Sequence, residues 1–163
     1  MALELAREFG GEIVNGDSVQ IYRGMDLGTA KPGAEERLRV PHHLFDVRNP
    51  DEVFTAGEYC RVGREAIREI AGRGRLPIVV GGSGFYLRAL LEGLAPLPVR
   101  SEPVRERLVR LEARSAGALH RILRCWDAEA AARIHGNDTQ KLVRAIEAMV
   151  LGKDSLTKLQ NGP

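Results

Sequence analysis

The first 95 residues alternate short apolar runs with stretches of helical periodicity, a pattern that predicts an α/β sheet. Apolar residues at helical spacing predict helices over residues 3–9, 55–72 and 85–92, the second opened by a capping box at Thr55 and Glu58. Short segments at 12–14 and 43–47 and the apolar run at 76–80 predict strands. The run at 76–80, LPIVV, has no polar position and is typical of a strand covered on both faces.

The pattern changes at residues 95–98, where Pro96 and Pro98 prevent a helix from continuing. Everything beyond them has helical periodicity. We predict a helix from the Ser101 cap to residue 114, two more around 119–123 and 128–134, and a last one capped at 137–138 with Gly152 just past its end.

Composition excludes some classes of protein and leaves others open. The 163 residues are 44% hydrophobic, enough for one ordinary core, and no apolar run approaches the roughly 20 residues that cross a bilayer. The N-terminus lacks the features of a secretory signal, and Cys60 and Cys125 form no metal-binding or disulfide pattern, so we expect a cytoplasmic protein.

Charge is unevenly distributed along the chain. The net charge is +2, but residues 100–144 hold ten Lys/Arg against six Asp/Glu, so this segment carries +4. A basic excess on helices can serve a phosphate backbone, or it can be a solvated surface. Charge alone leaves both interpretations open.

Two polar clusters follow predicted strands, where ligands bind in an open α/β sheet. They are residues 16–20, GDSVQ, and residues 81–84, GGSG. Taken alone, the first is more often a helix cap and the second more often just a turn. His42 and His43 have no partner at metal-ligand spacing, so we expect them to be strand-edge or turn residues rather than metal ligands. We expect Trp126 to lie in a core rather than to stack on a base.

Longer strings around these clusters are more specific. GDSVQIYRGMDLGTAKP (16–32), PHHLFD (41–46), LPIVVGGSGFYLRALLEGL (76–94) and HGNDTQKLVRAIE (135–147) occur in this order. Together they resemble the tRNA dimethylallyltransferase family, also called tRNA isopentenyltransferase. The resemblance implies an α/β fold with a P-loop kinase-like parallel sheet and an all-helical insertion. It also implies a core at 1–95, an insertion contacting tRNA at 96–135, and a helix at 136–163 that returns to the core.

The resemblance implies a reaction as well. The family transfers a dimethylallyl group from dimethylallyl diphosphate to N6 of the adenosine 3′ of the anticodon (position 37) in tRNA, with Mg²⁺, and we expect a monomer when complete. Asp17 matches the family's general base, and a carboxylate at N6 can take the proton as the C–N bond forms. The residues that match tRNA contacts are Asp17, Ser18, Val19, Gln20, Ser83, Arg105, Gln140, Lys141, Leu142, Val143 and Arg144. Thr29 and Lys31 belong to a motif of the family, GTAKP, without a role that we can derive.

The sequence departs from the family in one motif. The phosphate-binding loop GxxxxGK[ST] does not occur, and the resemblance places it immediately ahead of Met1. We therefore expect a fragment, a misplaced start or a decayed paralogue, inactive as given, in which a diphosphate would meet only side chains such as Lys31 and Arg144. The alternatives are a non-catalytic RNA-binding remnant, a structural fragment, and an adenylate isopentenyltransferase acting on free nucleotides.

Overall fold

A three-stranded parallel sheet organises the first part of the chain in a computed structural model that describes residues 1–95 and 97–161. The elements of residues 1–94 are helix α1 (Ala2–Glu8), strand β1 (Gly11–Asn15), helix α2 (Ala34–Arg39), strand β2 (His42–His43), helix α3 (Ala56–Gly72), strand β3 (Leu76–Val80) and helix α4 (Gly84–Glu92). The strand order is β2-β1-β3, and β1 is buried along its whole length. All three strands therefore end at one edge of the sheet.

Local sequence signals explain most of these elements. Thr55 caps α3 as the motif predicts: its hydroxyl accepts from the Glu58 N–H at 3.2 Å, and the Glu58 carboxylate accepts from the Thr55 N–H at 2.9 Å. The inner face of α3 places Tyr59 against Tyr86 of α4, with the rings stacked 4.3 Å apart. This packing forms a core above the strand ends, together with Ile21 and Phe54.

Two strand predictions need correction. The strand predicted over 43–47 is only His42–His43, because Leu44 and Asp46 take positive φ angles of 64° and 55° that end the extended backbone. The prediction of a strand covered on both faces at 76–80 is also wrong for the described residues. None of the five residues of β3 is buried, and Leu76 and Val80 are 47% and 37% exposed.

In the second unit, residues 95–163, all regular elements among the described residues are helices. It contains α5 (Glu102–Arg114), α6 (Ala118–Trp126), α7 (Ala128–Arg133), α8 (Thr139–Gly152) and α9 (Leu156–Asn161). Helix α8 supplies most of the core of this unit and packs against α5, α6 and α9. Helices α2 and α9 were not predicted. No helix in the described part of the chain is both long and apolar enough to cross a membrane.

The chain divides into two compact units, and the predicted bounds 1–95 for a core and 96–135 for an insertion stay predictions. The units meet between residues 94 and 95, and of the predicted boundary 95–98 only Pro96 lies outside the described residues. The return of residues 136–163 to the α/β core stays a prediction. Trp126 was predicted in a core, but its side chain is 55% exposed because it ends α6, beyond the buried stripe that contains Leu119 and Leu123.

Candidate active site and nucleic-acid interface

The two polar clusters predicted separately from the sequence form one site at the carboxyl ends of β1 and β3. Ser83 lies 65 residues after Ser18, yet its hydroxyl accepts from the Ser18 N–H at 2.8 Å and donates to the Ser18 hydroxyl at 3.0 Å. The Ser83 N–H donates to the Gly16 carbonyl at 3.2 Å. Parallel pairing of β1 with β3 brings the clusters together, since Asn15 lies opposite Val80.

Gly81 permits this close approach of the two loops. A Cβ atom on Gly81 would lie 2.1 Å from the Gly16 carbonyl carbon and 2.6 Å from the Asp17 nitrogen, which are backbone atoms that cannot turn aside. At Gly82, by contrast, the nearest atom to such a Cβ is the Asp17 Oδ2 at 3.9 Å. Of these two neighbouring glycines, only Gly81 is required by the packing.

Hydrogen bonds fix the orientation of the Asp17 carboxylate. Oδ1 accepts from the N–H groups of Val19 at 2.8 Å and Gln20 at 3.3 Å, while Oδ2 has no hydrogen-bond partner among the described residues. The Asp17 N–H donates to the side chain of Asn15 at 2.9 Å. One oxygen is therefore held by the loop, and the other is available to a ligand.

Asn15 is a member of this site that the sequence analysis missed. Its side chain is completely buried at the end of β1, and its amide donates to the carbonyls of Asp17 at 3.1 Å and Leu44 at 3.0 Å. Asn15 thus joins the loop after β1 to the loop after β2. The available signal was a polar residue at the end of the strand, directly before the cluster that begins at Gly16.

The remaining predicted contacts of this unit lie on the same loop. Val19 is 43% exposed, and the Gln20 side-chain amide donates to the Thr29 carbonyl at 2.8 Å. Lys31 is not available to a diphosphate as we expected, because its ammonium group is buried and bonded to Asp26 and Asp46. That expectation is wrong for Lys31.

The predicted tRNA contacts of the second unit fall into two groups. Arg105 and Arg144 meet at Glu147, a residue that the sequence analysis missed and whose side chain is completely buried. Glu147 Oε2 accepts from Arg144 at 2.8 Å and from Arg105 at 3.3 Å, and Oε1 accepts from the Ser101 N–H at 2.7 Å. Arg144 also donates to the Pro98 carbonyl, so it too is unavailable as a free phosphate ligand.

Glu147 stays ionised in these surroundings. Burial alone would raise the pKa of its carboxyl group, but the Ser101 N–H and the charges of Arg144 and Arg105 outweigh burial, and the pKa lies below its ordinary value. The buried carboxylate and the two guanidinium groups therefore form a charged cluster inside the second unit.

The stretch 140–144 has two faces. Gln140 and Lys141 are exposed at the start of α8, where Lys141 pairs with Asp138 at 2.7 Å. Leu142 and Val143 are buried in the helical core, at 0% and 2% exposure. Their side chains hold α8 in place.

Exposed cations without a partner lie elsewhere on the basic segment. Of its ten cations, five form ion pairs: Arg105, Arg110, Arg133, Lys141 and Arg144. Arg121 is bonded to Ser115 and the Ala116 carbonyl. Four exposed arginines have no carboxylate partner among the described residues; they are Arg100, Arg107, Arg114 and Arg124.

Comparison with known proteins identifies the family. The family model described as "IPP transferase" matches residues 20–163. The chain belongs to the IPP transferase family. The resemblance inferred from the four motifs is thereby confirmed. The match to the family model includes the loop from Gln20 onward and the whole helical unit.

Relatives of this family resemble nearly all of the chain. A tRNA dimethylallyltransferase of Solibacter usitatus is 54% identical over 98% of the chain, and one of Koribacter versatilis is 58% identical over 98%. The chain spans about half the length of these relatives, 52% of each.

Solved structures of the IPP transferase family support the fold. A tRNA isopentenylpyrophosphate transferase of Bacillus halodurans is 40% identical, with a TM-score of 0.58 over 94% of this chain and 51% of that protein. A eukaryotic dimethylallyltransferase whose structures show it acting on tRNA is 28% identical, with a TM-score of 0.80 over 98% of this chain and 40% of that protein. The expected P-loop kinase-like α/β fold class is confirmed.

The Mg²⁺ expected for the family finds no ligand set in the described residues. Mg²⁺ is usually held by one or two carboxylates together with substrate phosphates. No three His, Cys, Asp or Glu side chains converge in the part of the chain that the structure describes, and Oδ1 of Asp17 is already occupied by two N–H groups. These residues alone do not fit a Mg²⁺ site.

Proposed function

We propose that the complete protein is a tRNA dimethylallyltransferase that transfers a dimethylallyl group from dimethylallyl diphosphate to N6 of the adenosine 3′ of the anticodon. The observation that carries this proposal is the Asp17 carboxylate. It lies at the carboxyl end of β1, where ligands bind in such sheets, with Oδ1 fixed by two N–H groups and Oδ2 open. The names of the relatives supply the reaction class.

In this proposal Asp17 is the general base. The lone pair of N6 is delocalised into the adenine ring, so the amine becomes a good nucleophile only as its proton leaves. In the reaction N6 forms a bond to C1 of the dimethylallyl group, the C1–O bond breaks, and its electrons leave with the diphosphate. The N6 proton passes to Oδ2 of Asp17, a transfer typically worth about 10²–10⁴-fold in rate.

The two serines provide the hydrogen-bond donor of the site. The Ser83 hydroxyl donates a hydrogen bond to the Ser18 hydroxyl oxygen, and the described residues offer the Ser18 hydroxyl no acceptor for its own hydrogen. Ser18 can therefore donate to the target nucleotide, while Ser83 holds Ser18 in place. The adenosine must leave the anticodon-loop stack to reach these groups, as bases do in other enzymes that modify them.

The helical unit contributes tRNA contacts in this proposal. Gln140 and Lys141, which are exposed, carry the contact of the 140–144 stretch. Arg105 and Arg144 both pair with Glu147, and their side chains are only 17% and 30% exposed. In this proposal they contact tRNA only through the exposed part of each guanidinium group.

Asp17→Asn tests the proposal, because the amide keeps an oxygen for the Val19 N–H but cannot act as a base. The assay is transfer of the dimethylallyl group to an anticodon stem-loop RNA by a version extended ahead of Met1 with a GxxxxGK[ST] segment. We expect turnover to fall by at least about 10²-fold with RNA affinity nearly unchanged. Asp51→Asn, an exposed aspartate without a partner among the described residues, is the control. Turnover within a few-fold of the parent would remove Asp17 from this role.

A further inference from the structure

Lys31 is buried, although lysine is almost never fully buried unless it is paired. Its side chain is 1% exposed, and its ammonium group donates to three oxygens: the Tyr22 carbonyl at 2.6 Å, Asp26 Oδ1 at 2.8 Å and Asp46 Oδ1 at 2.8 Å. All three N–H donors of the lysine are therefore used. Burial alone would lower the pKa of Lys31, but the two aspartates outweigh it and raise the pKa, so the group stays charged.

These three bonds tie together separate parts of the chain. Tyr22 and Asp26 belong to the turns after Ile21, whereas Asp46 lies beyond β2. The second oxygen of Asp46 accepts from Arg37 at 2.6 Å, and Arg37 also donates to the Pro32 carbonyl at 2.9 Å. The segment 22–32 is thus fastened to the end of β2 through Lys31 and again through Arg37.

The backbone of the segment depends on such restraint. Ala30 and Asp46 take positive φ angles of 53° and 55°, which are uncommon for residues other than glycine. Conformations of this kind persist when surrounding contacts determine them. Lys31 is therefore the chain neighbour of one strained residue, Ala30, and a hydrogen-bond partner of the other, Asp46.

The fastened segment reaches the candidate active site through Thr29. The Thr29 hydroxyl donates to the carbonyls of Met25 at 2.9 Å and Asp26 at 3.2 Å, and its own carbonyl accepts from the Gln20 side-chain amide at 2.8 Å. The Gln20 N–H in turn donates to Asp17 Oδ1 at 3.3 Å. A continuous series of contacts therefore runs from Lys31 through Thr29 and Gln20 to Asp17.

We propose that Lys31 is a positioning residue: it holds segment 22–32 so that the Thr29 carbonyl fixes the Gln20 side-chain amide, while the Gln20 backbone N–H binds Asp17. Lys31 touches neither the nucleotide nor the diphosphate. The proposal gives the GTAKP motif a physical role. It rests on the proposed function only in taking the 17–20 stretch as the part that meets the target adenosine.

The first measurement concerns the Gln20 side chain and needs no RNA. The chain has three glutamines, and Gln140 and Gln160 are exposed, so their side-chain amide NMR signals are internal references. In Lys31→Met we expect the Gln20 amide signal to move toward theirs and its protons to exchange faster with solvent. Arg68→Met, the control, removes one exposed charge from α3 and should leave the signal in place.

Asp26→Asn is a second, milder variant that tests the same contact if Lys31→Met fails to fold. Asp26 is 65% exposed and provides one of the three oxygens, so this variant should fold and shift the Gln20 signal in the same direction by less. An unchanged Gln20 signal in both Lys31→Met and Asp26→Asn would overturn the proposal.

The second measurement is affinity for an anticodon stem-loop RNA in a double-mutant cycle. We expect Lys31→Met and Gln20→Ala each to weaken binding about fivefold, the equivalent of one net hydrogen bond, and the double variant to be no weaker than either alone. Additive losses would overturn the proposal, because Lys31 would then act on the RNA by another route. If Gln20→Ala leaves RNA affinity unchanged while Lys31→Met moves the Gln20 signal, the positioning role stands and the assignment of residues 17–20 to the RNA fails.

Discussion

Glu147→Gln should destabilise the helical unit more than any exposed substitution of the same kind. The carboxylate is completely buried and accepts from the Ser101 N–H, Arg105 and Arg144. Removing its charge leaves two guanidinium groups facing each other around a neutral amide. Breaking a buried ion pair by removing one partner costs about 3–5 kcal/mol, out of a net stability of about 5–15 kcal/mol. At roughly 2–4 °C per kcal/mol for a chain of this size, Tm should fall by about 6 °C or more.

Thermal unfolding followed by circular dichroism measures this effect, and the chain contains a matched control. Glu106→Gln makes the same chemical change at an exposed pair with Arg110, where the side chains are 68% and 65% exposed. Exposed pairs contribute about 0–1 kcal/mol, so this variant should melt close to the parent. A Glu147→Gln protein that melts as close to the parent as Glu106→Gln does would refute the stabilising role of the cluster.

The same cluster predicts a pH dependence. Because the pKa of Glu147 is lower in the folded protein than in the unfolded chain, its contribution to stability is fully present above the unfolded pKa. That contribution is lost as the pH falls through the folded pKa. The difference in Tm between the parent and Glu147→Gln should therefore be largest near neutral pH. It should shrink as the pH falls below about 4.3, the ordinary glutamate pKa, because the unfolded chain takes up this proton before the folded protein does. A difference that grows on acidification would contradict this sign.

Two further predictions concern the glycine turn and the basic surface. Gly81→Ala should lower Tm markedly or shift the NMR signals of the loop, since its Cβ would lie 2.1 Å from the Gly16 carbonyl carbon. Gly82→Ala, the control, should leave both Tm and these signals nearly unchanged. Equal effects of the two substitutions would show that the close approach at Gly81 is not required. Arg107→Ala should reduce the salt dependence of RNA binding by roughly one phosphate contact, because this arginine is exposed and has no carboxylate partner among the described residues. Arg144→Ala should lower Tm and leave the salt dependence of RNA binding nearly unchanged, because this arginine is bonded to Glu147 and the Pro98 carbonyl. Filter binding across a salt series measures the salt dependence of both variants.

The sequence predicted those parts of the fold whose cause is local. The Thr55–Glu58 capping box, the helical spacing along α3 and the apolar run of β3 depend on residues within one or two turns of each other. The strand at 43–47 failed for an equally local reason that hydrophobicity does not show. Positive φ angles at Leu44 and Asp46 end β2 after two residues, although leucine is not a residue type that marks a break.

The candidate site was predicted as two clusters, but what joins them was not. Asp17 and Ser83 could be proposed because each follows a strand in a specific motif. The close approach at Gly81 and the buried amide of Asn15 depend on the pairing of β1 with β3, which a single sequence specifies only weakly. Both features became visible only when the strand register was known.

Charged residues were the hardest to interpret from sequence, because their role depends on where their partner lies. Arg105 and Arg107 are two positions apart on α5, which places them on different faces of the helix. Arg105 meets Glu147, 42 residues away, while Arg107 is exposed. No local pattern distinguishes the two, since the carboxylate that captures Arg105 arrives on α8. The same holds for Lys31, whose partner Asp46 follows β2. The basic excess of residues 100–144 therefore cannot be equated with a capacity to bind RNA: part of it neutralises a buried carboxylate, and only the exposed remainder is free to meet phosphates.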